Sequence, residues 1–303
     1  MATKRIGFIG VGLMGHGMAK NLVEKGFPTT VMGHRNRAPV EDLVKSGAKE
    51  AKDLRALCEA ADVIVLCVTG SPQVEDLVYR ADGILANGRA GQIVIDTSTS
   101  QPGSTLKIAA DLKAKGMRFV DAPLSRTPVE AAQGRLNSMV GADGQTFEEV
   151  KPIIAAYSEN IFQAGDVGAG HKIKLINNFG VIGQLALISE MLAACAKLGV
   201  DPKMFFELFS LGAAASPMFK NVAGKAINGD FTGHQFALSN AAKDMRYYAQ
   251  MATEAGVSGP VAAVVTQSLL TAVNLGFGGP EHLTGSLIRV QAKLNDVEFP
   301  PSR

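Results

Sequence analysis

A chain of 303 residues, 47% of them hydrophobic and 19% charged, has the length for two domains and the composition of an ordinary globular protein. Its net charge of +2 is nearly neutral and no basic run interleaved with aromatics occurs, so nucleic acid is not an expected partner. Three scattered cysteines (Cys58, Cys67, Cys195) and five histidines without ligand spacing predict no metal site and a reducing, cytoplasmic setting, and a start that enters a strand at once leaves no room for a signal peptide.

Lys4 to Ile9 reads as a short apolar strand that runs into Gly10-Val11-Gly12-Leu13-Met14-Gly15, after which Met14 to Lys25 reads as a helix stopped by Gly26. A glycine loop between strand and helix is the dinucleotide-binding arrangement. The first glycine permits the tight turn, the second lets the backbone approach the pyrophosphate, and the third lets helix and strand pack closely, with the phosphates at the helix N-terminus. The second strand, Thr29 to Met32, ends in Gly33-His34-Arg35-Asn36-Arg37, where an NAD-binding domain usually presents a carboxylate to the ribose 2′-hydroxyl. Here the sequence offers guanidinium groups instead, which suit a 2′-phosphate, so NADP(H) is expected over NAD(H). His34, Arg35 and Asn36 are the expected contacts; Arg37 reads equally well as a solvated surface charge.

Val63 to Val68 is a continuous apolar run, typical of a parallel strand covered on both faces, and Val68 and Thr69 at its end should face the cofactor crevice. Gln92 to Ile95 leads into Asp96-Thr97-Ser98-Thr99, whose Ser98 and Thr99 suit either turn-and-cap duty or cofactor contact, and Pro102 opens a helix stopped by Gly116. Arg118 to Val120, a strand within Gly134 to Gly141, and Ile161 to Ala164 complete six or more strands with helices between them. That pattern predicts a doubly wound α/β sheet, with residues 1–165 as the nucleotide-binding domain and the glycine-rich stretch Gly165 to Gly170 as the hinge.

Gly168 to Val200 is the longest apolar segment and reads as one long central helix joining the two domains. Gln184, Ser189, Glu190 and Lys197 interrupt its apolar tail and argue against a membrane span, which leaves burial inside a domain or between subunits and suggests a homo-oligomer, dimer or tetramer. Its head places Lys174, Asn177 and Asn178 at neighbouring helical positions. By themselves they read either as a snorkelling lysine with two structural amides or as a reactive tip facing the cofactor. Past Val200 the pattern is helical only, with Asp201-Pro202 and Pro260 as helix starts and Ala237 to Ala255 as a helix containing Lys243 and Asp244, so residues 166–303 are expected to form an all-helical domain for substrate and subunit contacts.

GFIGVGLMGHGMAKNL at the start, DTST at 96, DAPLS at 121, GRLNSMVGA at 134, GAGHKIKLINN at 168 and FALSNAAKDM at 236 occur in the order found in the β-hydroxyacid dehydrogenases, which the chain resembles along its whole length. The resemblance implies a Rossmann domain joined by a long helix to a helical domain, Lys174 as the catalytic residue, Asn178 and Ser125 as substrate contacts, and Lys243 near the cofactor or the substrate carboxylate. Arg126-Thr127 stands where most of the family has two glycines and is similar to the sulfolactaldehyde reductase branch. Arg126 at that place adds a fork of donors for a carboxylate or sulfonate at the far end of a short substrate, and Thr127 and Asn177 are further expected substrate contacts. The expected reaction passes hydride between a nicotinamide and a short anionic aldehyde or hydroxy acid, with Lys174 moving the proton. The competing readings are an imine reductase, against which Lys174 argues, and a scaffold or sensor that holds NADP without turnover.

Overall fold

The computed structural model describes residues 3–33 and 36–300 and divides into two compact units, residues 1–174 and 175–303. The first is built on the strands β1 (Ile6–Ile9), β2 (Thr29–Met32), β3 (Lys49–Ala51), β4 (Val63–Leu66), β5 (Ile93–Asp96), β6 (Arg118–Asp121), β7 (Leu124–Ser125), β8 (Leu136–Gly141) and β9 (Ser158–Gly165). They lie in the order β3-β2-β1-β4-β5-β6-β8-β7, with β9 beside β8. From β3 to β6 every pairing is parallel, while β8 runs antiparallel to β6 and β7. The far edge therefore departs from a purely parallel sheet. β3 carries the short sequence Lys-Glu-Ala with two exposed residues, which is why no apolar run announces it.

Alternation along the strands supplies both faces. Ile6, Phe8, Val63, Val65, Ile93 and Ile95 join one core cluster, and Ile9, Ile64, Leu66 and Val94 join the other. Helices α1 (Gly15–Glu24), α2 (Ala38–Lys45), α3 (Leu54–Ala60), α4 (Ser71–Tyr79), α5 (Ile84–Asn87), α6 (Pro102–Ala114), α7 (Pro128–Ala132) and α8 (Gly144–Ile154) connect the strands. The register aligns Ile9 with Met32 and with Leu66, Leu66 with Asp96, and Asp96 with Asp121. Five carboxyl-terminal strand ends thus stand at one level, and strand order reverses between β1 and β4, the place where open α/β sheets bind ligands.

Gly165 (φ +132) and Gly168 (φ +94) adopt left-handed backbone and release the chain into α9 (Ala169–Leu198), a helix of 30 residues. The division between units falls within its first turns, at Lys174 and Leu175, and not in the glycine stretch at 165. The reason is local: the N–H groups of Gly168 and His171 donate to Asp121 at the end of β6. The second unit contains the rest of α9 with α10 (Pro202–Leu211), α11 (Pro217–Ala226), α12 (Leu238–Glu254), α13 (Pro260–Ala272) and α14 (Leu287–Leu294). Ile182 and Ala186 pack with α12, α13 and α14, and Leu185, Ile188 and Leu192 pack with α11 and α14. By length and composition alone α9 and Pro260–Phe277 could each cross a membrane. The expectation that α9 is covered on every face is not met within the chain, since Ile176, Leu187 and Leu198 are exposed.

Candidate active site

The glycine loop leaves β1 at Gly10, whose φ of +97 belongs to the left-handed region, and a Cβ there would lie 2.1 Å from the Cys67 carbonyl oxygen. At Gly15 a Cβ would lie 1.9 Å from the Gly10 carbonyl oxygen, so this glycine brings the first turn of α1 onto the loop. A Cβ at Gly12 would meet no protein atom within 4 Å. Two glycines are thus demanded by the protein's own backbone, and the third keeps open space beside the loop, a cradle that fits a pyrophosphate. Leu13 is 86% exposed, and Met14 is the residue before the helix.

At the ribose position His34 and Arg35 lie outside the described residues. Asn36 accepts the Ala38 N–H through its Oδ1 at 3.2 Å, a turn contact. Arg37 donates through Nη1 and Nη2 to both oxygens of Glu50, at 2.7 and 2.8 Å, and its guanidinium holds that carboxyl below the usual range. The alternative of a plain solvated charge is therefore replaced by a forked pair with β3. No local pattern marks Glu50, which sits 13 residues beyond Arg37 on an edge strand with no hydrophobic signature.

The loops that follow β4 and β5 are tied together. Ser98 is buried, and its hydroxyl accepts the Val68 N–H at 3.0 Å, so it joins the end of β4 to the end of β5 rather than capping α6. Thr69 is exposed and Thr99 half-buried. Beneath them Asp96 accepts the Ser98 N–H at 2.9 Å and the Ser100 hydroxyl at 2.8 Å. Cys67, in the same region, is pushed up to about 11 by burial, so its thiol stays protonated at neutral pH.

The Asp-Ala-Pro segment divides into separate tasks. Asp121 is fully buried and accepts the N–H groups of Gly168 (2.6 Å) and His171 (2.8 Å), acting as a cap for α9 supplied from another strand. Burial pushes its carboxyl up, against the pull of His171 and these backbone donors. Ser125 accepts from Asn137 Nδ2 at 3.1 Å, and Asn137 in turn accepts from Asn160 at 2.9 Å. Thr127 closes a capping box with Glu130 at the start of α7, its hydroxyl donating to the carboxylate at 2.5 Å. The Arg126 guanidinium pairs with Glu159 on β9 and donates to the Arg135 carbonyl, where the sequence had suggested a free reader of a substrate anion. Its backbone φ of +85 is left-handed, a conformation glycine adopts without strain, which explains why glycine suits this position in the family pattern.

Lys174 follows His171 by one turn of α9 and is half-buried. Further along the same helix, in the second unit, Asn178 is buried and donates to Asp244 Oδ2 at 2.6 Å, whereas Asn177 is exposed and reaches only Asn178 Oδ1 at 3.3 Å. Lys243 lies 2.8 Å from the other oxygen of Asp244 and 4.9 Å from the Tyr247 ring centroid. Asp244 is thus the organising group of that unit's polar cluster: it fixes one residue expected to touch substrate and one expected near the cofactor. The resemblance implies roles for its neighbours Asn178 and Lys243, whereas Asp244 reads in the sequence only as a residue of its helix, since a pairing across 66 residues leaves no periodicity.

Residues 5–165 match the family described as the NAD binding domain of 6-phosphogluconate dehydrogenase, and residues 168–287 match that described as NAD-binding of NADP-dependent 3-hydroxyisobutyrate dehydrogenase. The chain belongs to the β-hydroxyacid dehydrogenase family and is an NAD(P)-dependent oxidoreductase acting on CH–OH groups. It is 32% identical to a 2-(hydroxymethyl)glutarate dehydrogenase from Eubacterium barkeri over 97% of this chain and 96% of that one. It is 33% identical to glyoxylate/succinic semialdehyde reductase 1 of Arabidopsis thaliana, covering 90% and 94% of the two chains. The crystal structure of a 3-hydroxyisobutyrate dehydrogenase from Salmonella typhimurium superimposes with a TM-score of 0.81 at 27% identity, covering 95% of this chain and 99% of that one.

Proposed function

We propose that the protein is an NADP-preferring reductase or dehydrogenase for a short anionic hydroxy acid or semialdehyde, of the 3-hydroxyisobutyrate, tartronate or succinic semialdehyde, or sulfolactaldehyde kind, with Lys174 as the proton donor. The observation that carries this reading is the fastening of the Lys174-bearing turn to Asp121, at the strand ends where the cofactor cradle opens. Relatives named for glyoxylate, succinic semialdehyde and 2-(hydroxymethyl)glutarate share a short carbon chain, a carboxylate and an oxidisable or reducible oxygen-bearing carbon. The NADP preference rests on the absence of a carboxylate at the end of β2 and on the match to the NADP-dependent family description.

A bound nicotinamide supplies or accepts the hydride. Lys174 gives its proton to the substrate oxygen as negative charge develops there, and in the oxidative direction takes the hydroxyl proton back. Asn178, held on one side by Asp244, has a fixed amide with which to orient the substrate oxygen, and Ser125, held by Asn137, offers a hydroxyl proton to the carboxylate. Because Glu159 neutralises Arg126, the substrate's anion is assigned to Ser125 and to loop N–H groups rather than to that guanidinium. The exposed apolar residues Ile176 and Leu187 of α9 and Leu208 and Leu211 of α10 support assembly of identical chains; the proposed setting is the cytoplasm, with no nucleic-acid or membrane partner.

The test is consumption of NADPH and of NADH against C3 and C4 semialdehydes bearing carboxylate or sulfonate groups, with wild type and Lys174→Ala. Removing a general acid lowers kcat by about 100-fold or more, while NADPH binding persists because the glycine loop is untouched. A folded Lys174→Ala protein with near-normal kcat refutes the proton-donor role, and a wild type with the higher kcat/KM for NADH refutes the cofactor preference.

A further inference from the structure

His171 is fully buried, belongs to neither the cofactor loop nor the proposed substrate contacts, and has both ring nitrogens and its backbone N–H engaged within the first unit. Its Nδ1 lies 2.7 Å from the Thr105 hydroxyl on α6, and its Nε2 lies 3.1 Å from the Ser98 carbonyl oxygen. Its backbone N–H is one of the two that Asp121 caps. The carboxylates of Asp96 and Asp121 flank the ring at 3.7 and 3.8 Å. One residue earlier, Gly170 has no room for a Cβ, which would lie 2.2 Å from the Met139 carbonyl, so this turn of α9 is pressed against the sheet.

These contacts form a continuous path. The ring holds the Ser98 backbone, the Ser98 hydroxyl holds Val68, and Lys174 follows one turn after the ring on the same helix. An imidazole is a rigid plate with two polar atoms at fixed separation, so it sets both the rotation of α9 about its axis and its distance from the two loops. We infer that His171 is the positioning residue that keeps the Lys174-bearing turn in register with the loops at the ends of β4 and β5. This rests on the reading of Lys174 as proton donor.

Misplacing a reacting group by about 1 Å can cost on the order of 100-fold in rate, so His171→Ala is expected to lower kcat by about 10-fold or more with cofactor KM changed less than about threefold. His171→Gln, which can place an N–H near the position of Nε2, should recover most of that loss. Because the effect runs through Lys174, His171→Ala added to Lys174→Ala should lower kcat by no more than about twofold beyond Lys174→Ala alone. Should His171→Ala fail to fold, Thr105→Val removes the Nδ1 partner at nearly constant volume; it should cost about threefold or more in kcat, and nothing further in the Lys174→Ala background. Losses that multiply in the double variant, no recovery with glutamine, or unchanged kcat in the folded variants would overturn the inference. A normal kcat for Lys174→Ala itself would sink the proton-donor reading along with it, whereas a crippled Lys174→Ala beside a fully active His171→Ala would sink this inference alone.

Discussion

Gly12→Ala separates what the glycine loop does for the fold from what it does for the cofactor. The new methyl meets nothing within 4 Å, and the backbone there is not in the left-handed region, so the folded protein has no reason to resist it. Replacing glycine by alanine at a compatible position restricts the unfolded chain and stabilises by about 0.4–1 kcal/mol. The same methyl stands in the open space where a pyrophosphate approaches the backbone. Losing one charge-assisted N–H contact, or overpacking against the phosphate, costs about 1.5–3 kcal/mol, which is roughly 10- to 150-fold in Kd. Gly15→Ala is the contrasting case, since its Cβ would lie 1.9 Å from the Gly10 carbonyl oxygen and the turn itself must move. Thermal unfolding without cofactor, followed by NADPH titration monitored through nicotinamide fluorescence, reads both quantities. Gly12→Ala should keep or slightly raise the Tm and lose NADPH affinity, and Gly15→Ala should lower the Tm by several degrees. If Gly12→Ala binds NADPH as tightly as wild type, or if it unfolds as readily as Gly15→Ala, the assignment of the open space to the pyrophosphate is wrong.

Arg35→Asp should shift the NADPH-to-NADH ratio of kcat/KM by about 10-fold or more, the scale of one charged hydrogen bond, whereas Arg37→Ala, already committed to Glu50, should shift it by less than about threefold; equal shifts would mean that both arginines read the ribose. Arg126→Gly relieves a left-handed residue and loses the partly exposed pair with Glu159, two effects of opposite sign, so urea unfolding should place its midpoint close to that of wild type. Its KM for carboxylate substrates should also stay within about threefold, and a 10-fold rise would restore the arginine as an anion reader. Asp62 accepts from the Arg5 backbone and guanidinium and from Arg89, which holds its carboxyl down at about 2 against an ordinary 3.8. A drop of that size corresponds to about 2.5 kcal/mol before screening, and with the side chain 30% exposed about 1 kcal/mol remains. Because the folded value is the lower one, that stability is present above about pH 4 and fades as pH falls toward 2, so the gap between wild type and Asp62→Asn should narrow over that window; a gap independent of pH would show that the ion pair contributes nothing.

Much of this architecture was legible in the chain because it depends on local pattern. The run Val63–Leu66 announces a strand covered on both faces, Pro102 and Pro202 announce helix starts, and the glycines at 10, 12 and 15 announce their loop by their spacing between a strand and a helix. Lys174, Asn177 and Asn178 stand out in the same way, as neighbouring polar positions at the head of one long apolar helix. What no local pattern carries is the partner that each polar group takes after folding. Glu159 meets Arg126, Glu50 meets Arg37, and Asp244 meets Asn178 only because strand order and helix packing bring distant segments together. A guanidinium that reads in sequence as open to a substrate is, in the fold, already neutralised by a carboxylate 33 residues away. Asp121 and His171 show the same thing from the other side: one reads as part of a loop and the other as a helix residue of no special kind, yet β6 and α6 turn them into the fastening of the first turn of α9. The sequence by itself determined the elements and the chemistry available; the tertiary structure decided which charges remain for a substrate, because pairing energies depend on distance in space and not on separation along the chain.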